Sequence, residues 1–134
     1  MSRSNHRRKH GGGRFARLPV VVLKHIAVTT LTHAAFRVLV LLAAQFKGFN
    51  NGALGITAKQ ATDAGIGSDK TLYRSLRELE LRRLVELTYP ASRVPPRPTM
   101  WSLAWLPLDD TQYSQSTRTP SHAYRDWKPE RSAA

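Results

Sequence analysis

Apolar and polar positions separate most sharply between Ile56 and Leu87, in ITAKQATDAGIGSDKTLYRSLRELELRRLVEL. Leu72, Leu76 and Leu79 fall at i, i+4 and i+7, the spacing of one buried helical stripe. Lys70, Arg74 and Arg77 repeat that spacing about half a turn away, so the three cations are expected to point outward together. Before this helix, Thr57 and Gln60 have the spacing of a capping box, which predicts a short helix from Ala58. Gly65 is suited to the left-handed conformation that stops it. Ile66 is then expected to fill the angle between the helices, and Ser68 to cap the second.

The pattern changes period after Glu80–Arg83. Leu84 to Tyr89 alternates as a half-buried strand does, and so does Thr99 to Trp105, which Pro107 closes. Between them, Pro90 to Pro98 holds four prolines in nine residues and cannot be a central strand. The expectation is a β-hairpin with a proline-stiffened tip carrying Arg93 and Arg97. Upstream, Phe15, Leu18, Val22, Leu23 and Ile26 mark an apolar segment, with Pro19 suited to a first helical turn. Thr32 should cap the longest helix, whose core face is read as Phe36, Leu39, Val40, Ala43 and Phe46. Asn50-Asn51-Gly52 supplies residues that tolerate positive φ for the turn after it.

A short helix, a glycine turn and a helix with a basic outer face form the layout that places a recognition helix in a DNA major groove. The fold class this predicts is α+β, mainly helical: a winged helix-turn-helix of three helices plus a hairpin wing, with a flexible basic N-terminal arm and a C-terminal tail. The region Leu31–Leu106 resembles that family. More narrowly, it is similar to small proteins of proteobacterial prophages and plasmids. The matching pieces are FxxLP at Phe15–Pro19, NNG at Asn50–Gly52, AGIGS at Ala64–Ser68, LRELE at Leu76–Glu80, WSLAWLP at Trp101–Pro107 and HAYRDWKP at His122–Pro129. One position departs from the pattern: proteins of this type carry Gly between the recognition helix and the wing strand, where Arg83 stands here. Arginine is disfavoured in the left-handed conformation that such a Gly adopts.

Composition strengthens the polyanion reading. Net charge is +12, from 21 Lys/Arg against 9 Asp/Glu. Residues 1–62 contain ten Lys/Arg and no acid, so the first half carries +10 of the +12. Nucleic acid is the default partner for such a distribution. Residues 1–14 are polar, basic and glycine-hinged, and are expected to be disordered in isolation. Residues 15–108 are read as the folded domain, and 109–134 as a polar linker and tail in which Tyr124 and Trp127 are available to pack back. Cysteine is absent, which fits a reducing cytoplasm and excludes disulfides. The longest apolar run, Val38–Ala44, is too short to span a bilayer.

The expected DNA-binding set is Ser68, Lys70, Thr71, Arg74 and Arg77 from the recognition helix, Arg93 and Arg97 from the wing, and Arg7, Arg8, Lys9 and Arg14 from the arm. The competing reading of the helix cations is a solvated face. The absence of acids between Lys70 and Arg77, and their position after the helix-turn-helix angle, favour DNA. Ser68 also serves as a simple cap, Arg93 and Arg97 as a solubilising tip, and Arg82 and Arg83 as favourable charges at a helix C-terminus. The arm has two further readings, a mitochondrial leader or a solubilising tail; the triple glycine and the lack of amphipathic pattern speak against the leader.

Chemistry beyond binding finds little support. His6 and His10 lie in a flexible tail without Cys or carboxylate partners, and no HExxH, GxSxG or phosphate-loop motif is present. No enzyme activity and no cofactor is expected. Partners are expected to be double-stranded DNA, a second copy as a homodimer, or another protein; the location, the cytoplasmic nucleoid. The functional expectation is a sequence-specific DNA-binding transcriptional regulator of a phage, prophage or plasmid. Two alternatives stay open: a replication-initiation or partition protein, and a phage-encoded inhibitor that uses the same scaffold to bind a protein.

Overall fold

The computed structural model describes residues 14–93, 96–97, 99–111 and 117–129. Among these the chain is α+β and mainly helical, with helices α1 Val20–Leu23, α2 Ile26–Thr29, α3 His33–Gln45, α4 Ala58–Asp63 and α5 Asp69–Leu81. A hairpin follows, β1 Val85–Tyr89 pairing antiparallel with β4 Met100–Leu103. Nested at its far end is a shorter ladder, β2 Ser92–Arg93 with β3 Pro96–Arg97. A 3-10 turn at Ala123–Asp126 lies near the C-terminus. No helix among the described residues is long and apolar enough to cross a membrane.

Caps fix most helix starts. The Thr57–Gln60 capping box forms in both directions, with Thr57 Oγ1 accepting from the Gln60 N–H at 3.1 Å and Gln60 Oε1 from the Thr57 N–H at 2.9 Å. Thr32 Oγ1 accepts from Ala35 N–H, and Ser68 Oγ from Thr71 N–H. Both helices of the central pair end the same way. After α4, the Ile66 N–H reaches Ala61 O and the Gly65 N–H reaches Thr62 O; after α5, Leu84 N–H reaches Leu79 O and Arg83 N–H reaches Glu80 O. Each is a Schellman closure, which needs a left-handed residue just past the cap. Gly65 supplies it at φ 80°, and Arg83 adopts it at φ 61°. The departure from glycine at Arg83 therefore leaves the exit geometry of α5 unchanged and places a strained L-residue there.

The core lies between α3, α5 and the hairpin. Leu72, Leu76 and Leu79 face Val38, Leu39 and Leu42 in one buried cluster, which Ile66 joins at the turn. Full burial of such side chains stabilises by roughly 1.5–3 kcal/mol each. Glu78 closes one end of the α3–α5 contact, accepting from the Thr32 N–H at 3.0 Å and the Thr32 hydroxyl at 2.8 Å.

Several sequence expectations are corrected. The segment 15–31 forms two one-turn helices, so the chain has five helices among the described residues where three were expected. The His25 side chain caps α2, accepting from Ala27 N–H, and this break resets the helical phase. Val22 is buried, but Ile26 just past the break is exposed, and so is Phe15, which precedes both helices. The buried face of α3 is Ala35, Val38, Leu39, Leu42 and Ala43, with Phe36 exposed and Val40 only partly covered. This helix is apolar around most of its circumference, so periodicity alone could not choose the face.

The strands also depart from simple alternation. All four residues of β4 are buried, because Leu54 bridges to Trp101 on its open edge and the C-terminal segment returns over the sheet. Arg118 reaches Glu86 on β1 at 2.9 Å, and the His122 N–H donates to Ala104 O. Leu87 on β1, by contrast, is exposed. The stretch expected as a linker is tied down where it is described: Asp109 Oδ2 accepts from Asn51 N–H at 2.8 Å, and Leu108 bridges with Arg118. Tyr124, only 1% exposed, belongs to the main core.

Candidate nucleic-acid interface

The side of α5 opposite its leucine stripe is the most strongly patterned surface described. Lys70, Arg74 and Arg77 are all exposed on it, and among the described residues none of the three enters an ion pair. The acids of the same helix are displaced from their line. Glu78 is turned toward Thr32 and Arg82, and Asp69 sits in the first turn, where a carboxylate complements the helix dipole. Glu80, the third acid, lines the groove beside Arg77 without pairing with it, so three cations project together and none is in an ion pair.

The turn that aims this face is rigidly built. Gly65 and Gly67 take φ of 80° and 100°, and Ile66 between them is buried. From α3, the Arg37 guanidinium donates to Ala64 O and brackets the turn from outside. Ser68 holds the first turn of α5 as a cap, and its hydroxyl lies 3.3 Å from that of Thr71. Ser68 and Thr71 therefore sit at the amino end of the basic face, with Ser68 already engaged by the helix.

The hairpin flanks one edge of this face. A groove of about 330 Å³ runs between them, lined by Tyr73, Arg77 and Glu80 of α5 and by Ala91, Thr99 and Trp101 of the hairpin. The backbones of Arg93 and Arg97 lie in the distal ladder, where Arg93 pairs with Pro96 and Arg97 with Ser92. The proline-stiffened tip expected between the two strands thus carries a short paired ladder of its own where it is described.

Of the expected arm residues only Arg14 is described, and it does not join this face. Arg7, Arg8 and Lys9 lie outside the described residues. Arg14 donates to Ala44 O at 3.0 Å, near the C-terminal end of α3. Arg82 has a structural post: it donates to Ala27 O and Thr30 O, lies 3.5 Å from Glu78 and stacks 4.4 Å over the Trp127 ring. Arg83 is exposed at the far end of α5.

Two residues on the face were missed by the sequence reading. Tyr73 is 65% exposed beside Arg77, and Leu81 is 61% exposed one turn beyond it. Both lie outside the leucine stripe, and their helical phase would have shown this. Among the described residues no group of His, Asp or Glu is arranged to hold a metal ion. Compared with protein-family models, with curated proteins and with solved structures, the chain matches none of them.

Proposed function

We propose that this chain is a winged helix-turn-helix protein that binds double-stranded DNA in a sequence-dependent way, most simply as a transcriptional regulator of a mobile genetic element. The observation that carries the reading is the unpaired, outward row of Lys70, Arg74 and Arg77 on a helix held by a two-glycine turn. A helix of this size fits the major groove, where Arg pairs bidentately with guanine O6 and N7 and Lys also donates. Arg74 and Arg77 are assigned to base edges or flanking phosphates, and Lys70, Ser68 and Thr71 to the backbone near the helix start. The hairpin, with Arg93 and Arg97 in its distal ladder, takes the adjoining backbone. Such a monomer covers one half-site, so tight specific binding calls for paired sites or a dimer.

The reading is tested by selection of bound sequences from a random duplex pool, followed by footprinting of the DNA around the protein's own coding region. An enriched motif whose preference changes in Arg74→Ala or Arg77→Ala supports it. A palindrome at a promoter indicates regulation, and an array of direct repeats indicates an origin or partition site. Absence of any enriched motif, with both variants indistinguishable from wild type, refutes sequence-dependent binding.

A further inference from the structure

A second basic surface lies away from α5, at the C-terminal end of α3. Arg14, Phe15, Arg17, Phe46, Lys47 and Gly48 line one depression of about 250 Å³. An adjoining one shares Arg14 and Lys47 and is completed by Ala44, Gln45, Asn50 and Ala53. Neither is lined by an acid. No residue of α5, its turn or the hairpin contributes to them.

The cations here are held without being neutralised. Arg14 donates to a neutral carbonyl, Ala44 O. Arg17 lies 5.2 Å over the Phe46 ring, and its backbone carbonyl accepts from Trp105 Nε1 at 3.0 Å. Both guanidinium groups are therefore positioned with full charge. Phe15, which lines the first depression, is 80% exposed, and Phe49, the chain neighbour of Gly48, is 67% exposed. Phe49 follows Gly48 on a braced loop, where the Asn50 side chain donates to Gln45 O and accepts from the Lys47 N–H at 2.7 Å. Gly48, at φ 104°, makes the loop's reversal possible.

Two positioned arginines and a lysine near exposed aromatic rings suit a strand whose phosphates and unstacked bases are both accessible. A duplex hides its base faces and leaves the rings without a partner. We infer that this surface binds single-stranded nucleic acid, with Arg14, Arg17 and Lys47 on the phosphates and Phe15 and Phe49 stacking on bases. It is a second site, independent of the duplex-binding face proposed for α5. Single-stranded DNA and RNA share this chemistry, and the two are separated by the probes used.

The test is anisotropy with labelled oligothymidine and oligouridine, each in the presence of excess unlabelled duplex. Wild type is expected to bind at least one of them. Phe15→Ala with Phe49→Ala should weaken that binding about 10-fold or more, and Phe15→Trp with Phe49→Trp should restore it. Arg17→Ala with Lys47→Ala should weaken it and flatten its salt dependence. Arg74→Ala with Arg77→Ala should leave it unchanged while duplex binding falls, which separates the two sites. The inference is overturned if neither oligomer binds, if duplex competes fully, if the phenylalanine variants bind as wild type, or if the α5 variant loses oligomer binding as well.

Discussion

Arg83→Gly is expected to stabilise the protein, and the two helix ends of the central pair supply the comparison from which its size is worked. α4 and α5 close with the same pair of backbone hydrogen bonds, one through Gly65 at φ 80° and the other through Arg83 at φ 61°. The left-handed conformation costs an L-residue roughly 1–2 kcal/mol. Removing the Cβ at 83 recovers that cost, while the freer unfolded chain offsets about 0.4–1 kcal/mol of it. The net gain is about 0.5–1 kcal/mol, equivalent to a rise in Tm of about 2–4 °C for a domain of this size. Thermal and urea unfolding, followed by circular dichroism and tryptophan fluorescence, reads the difference. Arg83→Ala is the control: it removes the guanidinium but keeps the Cβ, and should stay within a few tenths of a kcal/mol of wild type. Gly65→Ala is the mirror experiment, expected to lose about 1 kcal/mol or more, since its new Cβ would also lie 3.2 Å from the Arg37 guanidinium that brackets the turn. If Arg83→Gly lowers Tm, or if Arg83→Ala raises it equally, backbone strain at 83 is not the operative effect.

Three further outcomes follow from the packing. Asn51→Ala should destabilise by roughly 3 kcal/mol in urea unfolding, because the buried amide bonds Leu103 N–H and O, Leu106 O and Pro107 O, and truncation strands several of these groups. Tyr124→Ala should cost about 3–5 kcal/mol, and a chain ending at residue 119 should lose cooperative unfolding; a fully cooperative truncation would show the C-terminal turn to be dispensable. Glu78→Gln should cost about 1 kcal/mol by weakening the link to Thr32, whereas Glu80→Gln should stay near wild type in the same assay.

What the sequence disclosed tracks the range of the interaction involved. The capping box, the Gly65 stop, the Ser68 cap and the leucine stripe are local, set by residues within one or two turns, and they appear where the pattern puts them. The face of α3 was legible only in part: Leu39, Ala43 and Phe46 are buried as expected, but Ala34 to Ala44 is apolar on nearly every side and only contact with α5 selects Leu42 and Val38 over Phe36. Asn51 shows the same limit: as part of Asn-Asn-Gly it reads as turn chemistry, while its structural task is to bond backbone more than fifty residues away. Tyr124, expected as able to pack back from the tail, does so as a member of the main core. At the candidate interface, the outward grouping of Lys70, Arg74 and Arg77 followed from spacing alone, but Tyr73 and Leu81 beside them were not read as part of it, since an apolar side chain on a helix carries no charge signal. The docking of Arg14 at the end of α3 depends on tertiary structure and left no local signal.

The central claim is that the outer face of α5 binds a DNA duplex through unneutralised cations, and its most direct test is the salt dependence of duplex affinity for wild type beside Arg74→Ala/Arg77→Ala. If about 6–8 phosphates are neutralised, log affinity falls with log salt at a slope of about −5 to −7. The double variant should bind more weakly, with a slope shallower by about 2 where both arginines contact phosphate and less where one reads a base. Equal affinity and equal slope for the two proteins, or binding that ignores salt, would contradict the account and remove α5 from the binding surface.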